Sequence, residues 1–232
     1  MKGMKEHKIN KNNNFINGWY INDLSICDNL IKYFEKSDKK EVGKCGEIDR
    51  KKKNSTDLGL STNLIEPCVQ KYLNELKLVV DKYKSVYEYA DKNQYFWQIN
   101  NNFNIQKYDP HGGFYEWHTE RNHPRCSLRH LAFMTYLNDV NDGGETEWYY
   151  QKLKVKPKKG LTVIWGTDWT FTHRGIPSPT ETKYIITGWY SYINNWMIIF
   201  ILGIILGVYL GWKYELAIND FIESIKIHLN LK

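Results

Sequence analysis

The sequence predicts a mainly β protein with flanking helices, built on a double-stranded β-helix (jelly-roll) core and followed by a C-terminal transmembrane helix. Three observations predict it. From Phe96 to Tyr192 the chain is a series of short runs rich in aromatic and β-branched residues, separated by Gly, Pro, Asn and Asp. Ahead of that stretch, two segments repeat apolar residues at helical spacing. Behind it, Trp196 to Trp212 carries no charge. The expected division is a helical support region over 1–95, a jelly-roll domain over 96–192, a membrane span over 193–212 and an amphipathic tail over 213–232.

Residues 1–19 are rich in lysine and asparagine and lack the apolar core of a secretory signal, so export by that route is not expected. Leu24, Cys27, Leu30, Ile31 and Phe34 then recur on one face, predicting an amphipathic helix from Asp23 to Lys36 with Asn22 or Asp23 as its cap. Ser37 to Thr62 is polar, includes the basic run Arg50 to Lys53, and reads as a surface loop. A second helix is expected from Leu64 to Asp91, with Val69, Leu73, Leu76, Val79, Val80 and Tyr83 on one side. Both helices are expected to brace one face of a sheet.

The clearest strands are Trp97 to Tyr108, Arg129 to Leu137, Thr146 to Tyr150, Leu161 to Trp165 and Thr182 to Tyr192. Asn138 to Gly144 and Pro157 to Gly160 have turn chemistry. Lys152, Lys154 and Lys156 alternate as the outward face of a strand should. Trp165 and Trp169 are read as core or rim packing, with substrate contact as the alternative.

At about 1.5 Å per residue, the stretch from Ile193 to Trp212 would span roughly 30 Å, the thickness of a bilayer's hydrocarbon core. Trp196 and Trp212 would mark its two interfaces, a buried core helix being the alternative. Gly203, Gly207 and Gly211 leave a smooth stripe on which a second copy could pack as a homodimer. Beyond it, Leu216, Phe221, Ile222, Ile225 and Leu229 give the tail one apolar face suited to a membrane surface. The expected location is therefore a single-pass membrane protein with the 96–192 domain in the cytosol.

At 232 residues the chain can hold one domain of ordinary size plus an appendage, and 15% aromatic content excludes a disordered chain. Its net charge of +6 comes from scattered lysines rather than a basic cluster interleaved with stacking aromatics, so no nucleic-acid partner is expected. Cys27, Cys45, Cys68 and Cys126 are far apart and fit free thiols in a reducing compartment.

The candidate chemistry lies between Tyr108 and Trp189. Side chains at i and i+2 of a strand share a face, so His118 and Glu120 can reach one metal together. His173, brought alongside on another strand, would complete a set of two histidines and one carboxylate with open positions, a set that favours non-haem Fe(II) over a closed zinc site. Lys183 lies ten residues further on, in a strand whose same face carries Ile185, Thr187 and Trp189. A lysine in an apolar row is costly unless it finds an anion, here the distal carboxylate of a dicarboxylic cosubstrate, or snorkels to water.

The run Tyr-Asp-Pro-His-Gly-Gly-Phe-Tyr-Glu-Trp-His-Thr-Glu from Tyr108 to Glu120 resembles the prolyl 4-hydroxylase branch of the Fe(II)/2-oxoglutarate dioxygenases. So do Arg129 to Asn138, Gly143 to Thr146, Pro157 to Gly160, and His173 with Lys183. The resemblance covers about residues 95 to 192. It implies His118, Glu120 and His173 as iron ligands and Lys183 as the cation for the 5-carboxylate of 2-oxoglutarate. Tyr108, Tyr136 and Thr146 fall on positions that help hold that cosubstrate, and Thr187 lies where a supporting hydroxyl often sits. Tyr115, Arg129 and Trp189 match positions on the peptide-substrate side. Most of the family has aspartate where this chain has Glu120.

The cofactors so implied are Fe(2+), 2-oxoglutarate and O2, with ascorbate as an accessory. The expected activity is hydroxylation of a substrate C–H bond, peptidyl proline before a free amino acid, small metabolite or modified nucleobase, with 2-oxoglutarate decarboxylated to succinate. The alternative is an inactive membrane-tethered jelly-roll module in which Glu120 is too long to complete the site. A zinc hydrolase is disfavoured, because no general base stands beside the histidines and Lys183 would lack a role.

Overall fold

The computed structural model describes residues 4–9, 14–92, 94–100, 102–193 and the helix 196–228, with side chains of that helix at 204–216, 218–220 and 222. Met1–Ile193 and Asn194–Lys232 are two compact units. In the first unit, β1 (Glu6–His7) and β2 (Asn17–Tyr20) lead into helix α1 (Ser25–Lys36). After it come β3 (Glu41–Val42), β4 (Thr56–Ser61) and helix α2 (Pro67–Val86). The remaining strands are β5 (Trp97–Ile99), β6 (Asn102–Tyr108), β7 (Phe114–His118), β8 (Arg129–Tyr136), β9 (Thr146–Trp148), β10 (Leu153–Val155), β11 (Leu161–Gly166), β12 (His173–Gly175) and β13 (Lys183–Tyr192).

Among the described residues the strands make two sheets. Eight strands of the larger run β1-β2-β11-β8-β13-β6-β4-β3, and β5 also pairs with β13; the smaller runs β10-β9-β12-β7. Their pairings are antiparallel. The strand period of two sorts side chains into two cores. On the helix side, Phe103, Ile105, Leu131, Phe133, Ile164, Ile186 and Tyr190 of the larger sheet pack with Leu30 and Phe34 of α1 and Val69, Tyr72, Leu76 and Val79 of α2. On the other side, Ala132, Met134, Tyr136, Leu161, Val163, Trp165 and Ile185 meet Trp148, Leu153 and Val155 of the smaller sheet. This is the jelly-roll arrangement, with both helices bracing one face of the larger sheet as expected. A polar thread crosses the helix-side core: Tyr72 Oη bonds Thr135 Oγ1 at 2.8 Å, which bonds Thr162 Oγ1 at 2.7 Å.

Several boundaries differ from the sequence reading. The segment 37–62 is not all loop: β4 pairs with β6 along six residues, burying Leu58 and Leu60. The polar start of the chain likewise contributes β2, paired with β11, with Trp19 buried. The single strand expected over 97–108 is two, β5 and β6, both paired with β13. Strand β10 behaves as its lysines suggest, with Leu153 and Val155 buried and Lys154 exposed. All four cysteines are free.

The second unit is one helix, α3 (Trp196–His228). Among the described residues no helix is long and apolar enough to cross a membrane. That overturns the expected span over 193–212 and, with it, the membrane localisation. Residues 194 and 195, and the side chains of 196–203, lie outside the described residues. The helix does not stop at Trp212 but continues through Lys213, Glu215 and Asp220, so the expected span and tail are one element. Residues 213–228 contain neither Gly nor Pro, and nothing in them breaks the helix. Around Gly207 and Gly211 there is open space, and the homodimer expected along Gly203, Gly207 and Gly211 has no support; the side of Gly203 lies outside the described residues.

Candidate metal centre

Strands β7 and β12 pair antiparallel with His118 directly opposite His173, so both imidazoles project to the same face. Their ring centroids are 4.3 Å apart. Each Nδ1 faces a carbonyl oxygen two residues back, Glu116 O at 3.0 Å and Phe171 O at 2.9 Å. A carbonyl only accepts, so each Nδ1 carries the proton and donates it, leaving the Nε2 lone pair free as a ligand. Phe114 stacks on His118 at 3.6 Å, and Trp165 meets His173 edge-on at 5.2 Å, so neither ring can swing away.

The carboxylate arrives differently from the sequence expectation. Strand β7 ends at His118, and Glu120 lies in the turn that follows. From there its Oε1 reaches to 3.3 Å from His173 Nε2 and 3.9 Å from His118 Nε2. Ligand atoms of His118, Glu120 and His173 all lie within 4.8 Å of one another. Burial alone would raise the Glu120 carboxyl, but the hydrogen bond to His173 and the nearby His118 and Arg129 outweigh it and hold the group below the usual carboxylate range. Burial, and then repulsion from His173, lowers the His118 pKa to about 4. Two imidazoles and one carboxylate are the donor set that suits Fe(II) while leaving positions open.

All three residues line a cavity of about 950 Å³. Lys183 is in its wall, 3% exposed. Its Nζ donates to Gly144 O at 2.9 Å and Ile176 O at 3.5 Å, and among the described residues it makes no ion pair. Burial lowers its pKa to about 8, partly opposed by Glu145. A Cβ built on Gly175 would lie 3.8 Å from Lys183 Nζ. Gly175 is two residues beyond His173 on the same strand, a step of about 7 Å. The amine therefore lies beside the strand that carries His173.

Nine of the eleven residues singled out from the sequence line this cavity: Tyr108, His118, Glu120, Arg129, Thr146, His173, Lys183, Thr187 and Trp189. Tyr108 presents its ring 5.0 Å from Lys183 Nζ and donates its hydroxyl to Gln106 Oε1. Thr187 donates to Phe133 O, a backbone tie within the larger sheet. Two residues stand back. Tyr136 is fully buried and donates to Thr146 Oγ1 at 2.8 Å, so it lies behind Thr146. Tyr115 turns its hydroxyl to His111 O and is not on the cavity wall.

Sequence reasoning missed Phe114, Gln106 and the pair of Lys53 Nζ and Asp57 Oδ2 at 2.6 Å, all of which line the cavity. For Gln106 a signal existed: it shares the face of Tyr108, two residues away. Lys53 and Asp57 came from a segment read as solvated loop.

The profile described as the 2OG-Fe(II) oxygenase superfamily matches residues 103–191. A probable prolyl 4-hydroxylase of Arabidopsis thaliana is 33% identical over 106 residues, a match covering 36% of this chain and 36% of that protein. The chain thus spans about a third of the length of that curated relative. Among solved structures, a prolyl hydroxylase of Trichoplax adhaerens, in complex with a hypoxia inducible factor peptide fragment, aligns with a TM-score of 0.63 at 18% identity, covering 79% of this chain and 86% of that one. The 2OG complex of a viral collagen prolyl hydroxylase from Paramecium Bursaria Chlorella virus-1 aligns at 0.58, also 18% identical, covering 77% and 97%. At that identity the two structures speak for the fold, while the profile and the plant relative speak for the sequence motifs. Residues 103–191 therefore match the 2OG-Fe(II) oxygenase superfamily and are similar to a prolyl 4-hydroxylase, and the His118, Glu120 and His173 set suits the cofactors that superfamily uses, Fe(II), 2-oxoglutarate and O2.

Proposed function

We propose that this chain is a 2-oxoglutarate-dependent dioxygenase that hydroxylates a C–H bond of a peptidyl proline. The observation that carries the reading is the juxtaposition, in one cavity, of three converging ligand atoms and a buried lysine that makes no ion pair among the described residues. In this reading His118, Glu120 and His173 hold the metal and leave its cavity side open. Lys183 takes the distal carboxylate of 2-oxoglutarate, which replaces the weak carbonyl contacts with a charged partner. Thr146, kept in place by Tyr136, and Tyr108 border the same region. Fe(II), when bound, supplies the oxidative chemistry: 2-oxoglutarate and O2 give succinate and CO2, and the second oxygen atom enters the substrate C–H bond.

The peptidyl proline rests on two supports, the plant prolyl 4-hydroxylase relative and the presence of Arg129 and Trp189 on the cavity wall. The guanidinium of Arg129 lies over the Trp189 ring at 3.5 Å, forming a planar cationic and aromatic surface of the kind that a proline ring can pack on. The test is mass spectrometry of proline-containing peptides after incubation with the full chain, Fe(II), 2-oxoglutarate and O2. Gain of one oxygen atom on proline, lost with His118→Ala, is the expected result. Oxygen gained on another residue, or on a small metabolite only, would replace the substrate assignment. Absence of any 2-oxoglutarate turnover would overturn the activity itself.

A further inference from the structure

The two oxygens of the Glu120 carboxylate have different partners. Oε1 faces the imidazoles, 3.3 Å from His173 Nε2. Oε2 accepts a hydrogen bond from Trp189 Nε1 at 2.8 Å and lies 3.6 Å from Arg129 Nη1. Arg129 Nη1 also donates to the Glu120 backbone carbonyl at 2.8 Å, and the guanidinium stacks on the Trp189 ring at 3.5 Å. Glu120 is therefore held at three points by two side chains from the larger sheet, on β8 and β13.

A glutamate needs such a hold. It carries one more rotatable bond than aspartate, and it stands in a turn rather than in the strand. A loose glutamate could rotate both oxygens onto a metal and occupy a position that the cosubstrate or O2 requires. A donor fixed on Oε2 forbids that rotation, because chelation would cost the indole its partner. From this we infer that Trp189 is a positioning residue that locks Glu120 into one-oxygen coordination, with Arg129 fixing the indole. The inference rests on the metal-centre reading above and adds a role for two residues that resemblance places on the substrate side. Because both also face the cavity, a substrate packed there touches the groups that set the metal's coordination.

The test is a Co(II) titration of the full chain, followed by visible absorption, which reports affinity and coordination number without turnover. Trp189→Phe keeps an aromatic ring under Arg129 and removes the N–H. It is expected to weaken Co(II) binding roughly 10- to 100-fold, the usual effect of removing an outer partner of a ligand, and to shift the spectrum toward higher coordination. In a Glu120→Asp background, where the shorter carboxylate no longer meets the indole, the same change is expected to cost no more than about threefold, in keeping with loss of the shared partner. Arg129→Met, which leaves the N–H in place, is expected to give a smaller loss with the wild-type spectrum. Wild-type affinity and spectrum in Trp189→Phe would overturn the inference, as would an equal loss in both backgrounds. Wild-type protein that takes up no Co(II) would instead sink the metal-centre reading, and this inference with it.

Discussion

Replacing Lys183 with alanine tests the cosubstrate reading at its most exposed point. In the structure Lys183 is 3% exposed, and among the described residues its amine is bonded only to the carbonyl oxygens of Gly144 and Ile176. With the lysine present, an incoming carboxylate meets a cation in a dry wall. With alanine, the same carboxylate must be buried beside two carbonyl oxygens that repel it and a void where the side chain stood. Removing one member of a buried, hydrogen-bonded charge pair costs about 2–5 kcal/mol, and the carbonyls turned toward the vacated space put the effect in the middle of that range. The expected result is a loss of 2-oxoglutarate affinity of about 100- to 1000-fold, since each 1.4 kcal/mol is a factor of ten. Calorimetric titration of 2-oxoglutarate into the Mn(II)-loaded protein reads this without turnover. Mn(II) affinity should change by less than about threefold, because Lys183 touches none of the three ligands. Equal 2-oxoglutarate affinity in the two proteins would refute the reasoning and send the anion site elsewhere in the cavity.

The lowered Lys183 pKa gives a pH dependence with a definite sign. Its folded value of about 8 is below the ordinary 10.5, so the metal-free, ligand-free fold binds fewer protons than the unfolded chain between those values. Stability in that state should therefore rise from pH 8 to 10.5, by up to about 3 kcal/mol from this group, as urea unfolding at a series of pH values would show. Anion binding needs the ammonium, so 2-oxoglutarate affinity should fall roughly tenfold per unit above pH 8 in the wild type and stay flat in Lys183→Met. Glu120→Ala should abolish coupled decarboxylation with the fold intact by circular dichroism, and Glu120→Asp should impair it although it restores the residue most of the family carries. Tyr72→Phe breaks the Tyr72–Thr135–Thr162 thread, costing about 1–2 kcal/mol, or roughly 3–6 °C in melting temperature. Gly188→Ala would set a Cβ 2.7 Å from both Phe103 Cβ and Phe133 Cζ, and overpacking of about 1–3 kcal/mol should appear as a lowered denaturation midpoint.

Much of the fold was legible because its elements follow strong local periods. Strand β13 alternates Ile186 and Tyr190 toward the helices with Lys183, Ile185, Thr187 and Trp189 toward the cavity. That alternation was visible without coordinates. Strand β4 was hidden because only Leu58 and Leu60 mark its buried face, and a two-residue signal among polar neighbours cannot be told from loop. The grouping of His118, Glu120 and His173 was readable from residue type and spacing, but not the contacts that hold it together. Glu120 and Trp189 are 69 residues apart, and their hydrogen bond exists only because β7's turn and β13 meet across the cavity. The C-terminal segment misled for the opposite reason. Apolar composition between two tryptophans suggested an element with ends, whereas the helix runs on through charged residues that carry no stop signal.

The central claim, that the three ligands and Lys183 together run oxidative decarboxylation of 2-oxoglutarate, is tested most directly by isolating succinate after reaction of the full chain with Fe(II), 2-oxoglutarate and isotopically labelled O2. Succinate carrying one labelled oxygen, formed by wild-type protein and absent with His118→Ala or Glu120→Ala, is the predicted result. Wild-type protein that binds Fe(II) and 2-oxoglutarate yet yields no labelled succinate would contradict it.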